Sequence, residues 1–339
     1  MSDPAYTLGS PPPPSRGAPP RGFCWVFLAK LGLTALVLAL LAARINLQQL
    51  GAVLANGQAG LLLAAVTPTV VLNLVKPVRW LWLLRAVLPD CNYGVAFRSA
   101  LVGAGARLLL PSKVGEFGRV LDVPRLPLLT GAGLVVLDLL MEMIAACLLA
   151  VPGLLIYAGP AVAGLAVLLS TTCIVALFFP RRFLWLVSRV LHGGPRLSSR
   201  LEAARDVVRL VGRRTLLRGV AISVVLNLLR FGQLVLLLLS VGAPMTARAV
   251  VVLPVVQLAD GFPFTVGGLG VREWLGAYLL PAYGIRAEAA VAAIFLQYVI
   301  SNVLPGIPGW WLLLRARGQA AAGVRREGPA ACRVGGRSG

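Results

Sequence analysis

Acidic side chains are scarce in this chain. Its 339 residues hold 12 Asp and Glu against 32 Lys and Arg, and charged residues make up only 13% of the total. So small a charged fraction beside 58% hydrophobic residues cannot clothe a water-exposed surface, which excludes a soluble core enzyme. Histidine is nearly absent: His192 stands alone in a basic loop and reads as a solvated residue. Cys24, Cys91, Cys147, Cys173 and Cys332 have neither metal nor disulfide spacing, so they read as small buried hydrophobes or a free tail thiol. With no His, Cys and carboxylate cluster, no metal and no other cofactor is expected. Nucleophile-elbow, P-loop and zinc-protease motifs are missing as well, and Gly103-x-Gly105 lacks the third glycine and βαβ setting of a dinucleotide site.

What is present is a series of long apolar runs separated by arginine-rich loops. The formal net charge of +20 does not point to nucleic acid, because the positive-inside rule accounts for basic clusters placed between membrane segments. Residues 1–21 are rich in proline and small polar residues and are expected to be a disordered cytoplasmic tail. The expected first membrane half covers 22–180, a basic cytoplasmic loop 181–214, the second half 215–315 and a disordered cytoplasmic tail 316–339, with the repeat proper beginning near 160. Full spans are expected at Phe23–Ala43, Leu61–Val75, Leu128–Val151, Pro160–Phe179, Leu216–Val241 and Ala289–Leu314. Lys76, Arg79 and Arg85 are assigned to the cytoplasmic end of the second span, and Trp80, Trp82, Trp310 and Trp311 to interfacial anchoring.

Two short, glycine-broken stretches stand out from the spans. Phe262–Glu273 reads FPFTVGGLGVRE, and Pro111, Val114, Gly115 and Gly118 match its Pro263, Val266, Gly267 and Gly270. Irregular backbone cannot face lipid, because each unpaired N–H or C=O there costs several kcal/mol. Each stretch is therefore expected to be the turn of a hairpin lined by protein or water, with Gly268 a further turn residue. The fold expected is an all-α polytopic membrane protein, with about six full spans and two re-entrant helical hairpins arranged as an inverted repeat. The first hairpin then dips in from the cytoplasm and the second from outside.

The blocks Lys76-Pro-Val-Arg79-Trp80, Pro111-Ser-Lys-Val-Gly115-Glu116-Phe-Gly-Arg119 and Pro263-Phe-Thr-Val-Gly267-Gly268-Leu-Gly270-Val-Arg272-Glu273 resemble the transmembrane, flippase-like region of the lysylphosphatidylglycerol synthase family. Pro111, Lys113, Gly115, Glu116 and Arg119 fit that family's first block. No counterpart of that family's soluble aminoacyltransferase domain is expected among these 339 residues. The resemblance implies a lipid path through the membrane, without lysyl transfer.

Ionisable groups at membrane depth are costly and default to functional hypotheses with named partners. Arg119 and Arg272 are candidates for gripping a lipid phosphate with their guanidinium forks, with Glu116, Glu273 and Asp260 beside them. The competing reading pairs Arg272 with Glu273 or Asp260, and Arg119 with Glu116 or Asp122, to hold the hairpins shut. Asp138 and Glu142 share one helix face, which suits a proton relay or a seat for a cationic headgroup, or else a structural pairing with Arg107 or Arg230.

The function these residues suggest is flippase-like movement of a phospholipid or other lipid-linked polar headgroup across the plasma membrane, with both termini cytoplasmic. The alternative is an intramembrane enzyme or accessory subunit that presents lipid, or a lipid-linked sugar, to a partner transferase. Membrane lipids are the expected partners, with a homo-oligomer or a lipid-modifying enzyme as further ones.

Overall fold

A computed structural model describes residues 47–110, 113–123, 126–178, 208–259 and 270–326, with isolated positions between 32 and 40. Most of the first expected span, the turn residues Pro111, Pro263, Gly267 and Gly268, and Asp260 lie outside the described residues. So do the N-terminal tail, most of the basic loop and the last residues of the C-terminal tail.

The described residues form helices and no strand. They are α1 (Leu47–Ala55), α2 (Ala59–Arg85), α3 (Tyr93–Leu109), a 3₁₀ turn (Gly115–Asp122), α4 (Leu128–Tyr157), α5 (Gly159–Phe178), α6 (Arg213–Ser240), α7 (Ala247–Leu258) and α8 (Val271–Leu279). A 3₁₀ turn (Leu280–Tyr283), α9 (Ala287–Tyr298), a π-helical turn (Val299–Val303) and α10 (Leu304–Arg326) complete the order. Four of these segments are long and apolar enough to cross a bilayer: α2, α4, α6 and the α9–α10 rod up to Arg315. The apolar helices α5 and α7 contain shorter runs.

Sequence chemistry explains several boundaries. The Asn92 side chain accepts the Val95 N–H at 3.0 Å to start α3, and Thr246 accepts the Ala249 N–H at 3.2 Å to start α7, each supplying a partner to an orphan donor. Helix α6 stops at Gly242, whose φ of 72° lets the Ala243 N–H fold back to the Leu238 carbonyl at 3.0 Å. A residue with a Cβ resists that left-handed backbone. Gly159, at φ 81°, makes the sharp reversal from α4 into α5, which pack along each other.

Helix α2 packs on α6, α3 on α10, and α7 on α4. The last two contacts depend on glycine. A Cβ on Gly309 would run into the Leu101 carbonyl, and one on Gly105 into the Gly309–Trp310 backbone, so α3 and α10 touch main chain to main chain. A Cβ on Gly153 would meet Val255 Cγ2 at 2.8 Å where α4 meets α7, and one on Gly306 would meet Leu108 Cδ1 at 2.6 Å where α10 meets α3.

Among the described residues the apolar core is dominated by two large clusters. One gathers Leu154, Leu234, Leu237, Val252 and Leu253, and the other Trp80, Leu84, Leu134, Met141 and Leu216. Thr69 and Arg79 of α2 and Ser223, Asn227 and Gln233 of α6, all buried, lie along their helices between these clusters. Outward-facing positions are apolar, with Leu63 73%, Leu165 63% and Tyr278 63% exposed, as hydrocarbon surroundings require.

Three expectations change. Helix α2 does not end near Val75 but runs to Arg85, and Arg79 is buried rather than placed at a water-facing end. Trp80 is no interfacial anchor: it is fully buried and donates its indole N–H to Ser99 Oγ at 2.9 Å. The C-terminal helix continues to Arg326, past the expected start of the tail at 316.

Candidate functional site

Between the two apolar clusters lies a network of ion pairs at membrane depth. Arg79, with its side chain 1% exposed, sets its Nε 2.7 Å from Asp138 Oδ1 and its Nη2 3.3 Å from Glu142 Oε2. Its remaining Nη1 donates to Ser223 Oγ at 2.5 Å. Arg119 donates to Asp138 Oδ2 at 2.8 Å, bridges to Glu116, and lies with its guanidinium carbon 5.0 Å from the Trp80 ring centroid. Glu116 also takes Lys76 Nζ at 3.0 Å and Arg107 at 3.3 Å. Glu142 takes Arg230 Nη1 at 2.7 Å and stands 3.8 Å from Lys113 Nζ.

Local packing sets this geometry. Gly115 and Gly118 let the 3₁₀ turn lie directly on α3, where a Cβ at Gly118 would come 2.7 Å from the Ala106 Cβ. That contact points Glu116 and Arg119 inward. Asp138 and Glu142, four residues apart on α4, both face Arg79. Each carboxylate meets more than one cation, so attraction outweighs the repulsion between them. Arg98 clamps Asp122 with contacts of 2.8 to 3.2 Å, which leaves Glu116 and Asp138 as the carboxylate partners of Arg119.

Next to the network is a cavity of about 40 Å³, bordered by Lys76, Arg107, Arg230 and Arg272 together with Thr69, Asn73, Gln257, Gln297, Ser301 and Asn302. It has room for roughly three water molecules. Of the two arginines singled out in the sequence, Arg272 lines it, while Arg119 stands behind it in the ion-pair network. Arg272 Nη2 reaches the Ile294 carbonyl at 3.4 Å. Glu273 uses one oxygen to cap α8 at the Gly270 N–H, 2.7 Å away, while the other is buried without a hydrogen-bond partner among the described residues. Gly270 has φ 93°, a conformation open to glycine.

The far wall is made of amides and hydroxyls. Gln233 donates to Thr69 Oγ1 at 2.7 Å and to the Ala65 carbonyl at 3.1 Å, and accepts from Ser301 at 2.9 Å. Gln257 and Gln297 both donate to the Arg230 carbonyl, at 3.3 and 2.8 Å. The π-helical turn brings Ser301 and Asn302 to the wall, a frequent role for such a bulge.

Sequence reading passed over one pattern that the geometry makes plain. Helix α2 carries Thr69-x3-Asn73-x2-Lys76-x2-Arg79, and α6 carries Ser223-x3-Asn227-x2-Arg230-x2-Gln233. Arg79 reaches Ser223, and Gln233 reaches Thr69. Asn73 and Asn227 each donate to the backbone carbonyl four residues before, both at 2.8 Å. The last residue of each pattern bonds to the first residue of the other, so the two helices run antiparallel. The repeated spacing of asparagine and cation was the available signal.

Among the described residues no group of His, Cys, Asp and Glu is arranged to hold a metal ion. Burial raises the Cys91 thiol pKa, against a smaller opposing pull from Arg85, which makes it a poor nucleophile.

Membrane-length helices around a buried charged network define a multi-pass membrane protein. The chain belongs to the family described as the lysylphosphatidylglycerol synthase TM region, whose profile matches residues 27–309. No curated protein and no solved structure matches it.

Proposed function

We propose that the protein moves a phospholipid, or another lipid with a polar headgroup, across the plasma membrane through the cavity between α2, α6 and the α9–α10 rod. The observation that carries this reading is a cation-rimmed cavity lined in large part by membrane-length helices. Charge at that depth is costly without a task. At about 40 Å³ the cavity is too small for a phospholipid headgroup, so passage of one requires it to widen, on one side and then on the other.

An inverted repeat supplies such opening. In this reading α2, α3 and α4 correspond to α6, α7 and the α9–α10 rod. The antiparallel pairing of the matched α2 and α6 patterns supports it, because a two-fold axis that reverses a helix lies perpendicular to it, in the membrane plane. The reciprocal packing of α3 on α10 and α7 on α4 and the side-chain caps that begin α3 and α7 support it too. Both termini are cytoplasmic in this topology, and the 3₁₀ turn at Gly115–Asp122 belongs to the hairpin that opens from the cytoplasm. A second copy or a lipid-modifying enzyme is the further partner proposed.

The test is reconstitution of the purified chain in vesicles with fluorescent phospholipid in one leaflet. The expected result is lipid appearing in the other leaflet with unchanged mass. A changed lipid mass would move the assignment to the enzyme alternative, and neither movement nor change would overturn both.

A further inference from the structure

The cavity contains an asymmetry between ligand-facing and counter-charge groups. Lys76 and Arg230 hold the same place in the matched patterns of α2 and α6, and both border the cavity. Each already has a carboxylate on its far side: Glu116 at 3.0 Å from Lys76, and Glu142 at 2.7 Å from Arg230. Neither carboxylate is among the residues bordering the cavity. Among the described residues the network sets Lys76, Arg79, Arg107, Lys113, Arg119 and Arg230 against only Glu116, Asp138 and Glu142. Among the described residues these six cations share three carboxylates, and cations that border a low-dielectric cavity favour an anion in it.

We infer that Lys76 and Arg230 are the two arms of one oxyanion clamp, equivalent by the internal repeat, and that an incoming oxyanion takes them from Glu116 and Glu142. The inference rests on the transport reading for its purpose but not for its chemistry. Lys76 offers a mobile ammonium and Arg230 a planar fork, which suit a phosphate with several acceptor oxygens. Asn73, close to Lys76 on the cavity wall, adds an uncharged amide. Gln257 and Gln297 hold the Arg230 carbonyl and so fix the backbone that carries one arm. The glutamates act as resident competitors: they keep both cations satisfied while the site is empty and give them up when the ligand arrives.

The experiment measures thermal stabilisation of the full chain, in a maltoside detergent without phosphate, by inorganic phosphate and by dihexanoyl-phosphatidylglycerol. Stabilisation by both assigns a phosphate site, and by the lipid alone a headgroup site; stabilisation by neither overturns the clamp. Lys76→Gln and Arg230→Gln should each weaken the ligand at least about tenfold, and to a similar degree, as loss of a charge-assisted contact predicts. Glu116→Gln and Glu142→Gln should tighten it severalfold, because a competitor is removed. If these carboxylates only brace the fold, their loss weakens or leaves unchanged the affinity, and the competition model fails. Binding that persists in a chain unable to move lipid in vesicles would overturn the transport reading and leave the clamp standing.

Discussion

Arg79 on α2 donates to Ser223 on α6 at 2.5 Å, and the same step taken from the other helix, Gln233 to Thr69 at 2.7 Å, closes the opposite end of the contact. The two latches have the same geometry and different chemistry. One is charged and braced by Asp138 and Glu142; the other is neutral and braced by Ser301. A charged latch in a low-dielectric layer is hard to open without its partners, whereas a neutral one can exchange its bonds for water.

Removal of Arg79 should therefore be among the most damaging single changes. Arg79→Gln leaves Asp138 and Glu142 with fewer counter-charges at a site that is nearly water-free, and breaking such a pair costs about 3–5 kcal/mol. Pairing it with Asp138→Asn should recover part of that loss, because the orphaned charge goes with it. Thermal unfolding of the two single variants and the double variant checks this; fully additive losses would mean that the two side chains do not interact.

Main-chain contact between α3 and α10 predicts a steric effect without any change in charge. Gly309→Ala puts a methyl against the Leu101 carbonyl, and overpacking of this kind costs about 1–3 kcal/mol. Gly164→Ala, where nothing stands within 4 Å of the added carbon, should be neutral or slightly stabilising because it removes helix-interior glycine. Melting temperatures of the two variants should separate clearly.

Much of the architecture was legible from composition and run length. Apolar stretches near Leu128, Leu216 and Ala289 announced α4, α6 and the α9–α10 rod, and the glycine-broken stretch at Pro111–Arg119 announced the end of α3 and the turn after it. The family was legible in the same blocks. Other features were hidden because they depend on neighbours distant in sequence. Lys76 and Arg79 look like a basic helix end until Glu116, Asp138 and Glu142 arrive beside them, and Trp80 looks like an anchor until Arg119 covers its ring. The π-helical turn that brings Ser301 to Gln233 leaves no composition signal.

Cys91 offers a simple check on the loop between α2 and α3. It is buried and not in a disulfide, and burial raises its thiol pKa. A raised pKa means less thiolate at neutral pH, so maleimide labelling should be slow there and accelerate as the pH climbs toward the thiol's own range. Measurement in a chain whose other cysteines are replaced by serine or alanine isolates the site. Rapid labelling at pH 7 would mean that the loop opens readily.

The neutral latch gives the sharpest test of how the cavity opens. If α2 and α6 separate at the Thr69 end during transport, a covalent tie between those positions should stop lipid movement without harming the fold. Thr69→Cys with Gln233→Cys, in the same background, can be bridged by a short bifunctional thiol reagent. Cross-linking should abolish lipid movement in vesicles, and cleavage of a reducible linker should restore it. Gln233→Leu should act in the opposite sense. It removes the donor to Thr69 and the acceptor for Ser301, loosens that end, and should raise the rate of labelling at a cysteine replacing Asn302 on the cavity wall. A cross-linked protein that still moves lipid at full rate would show that this end of the α2–α6 contact stays closed throughout, and would shift the moving element to the hairpins.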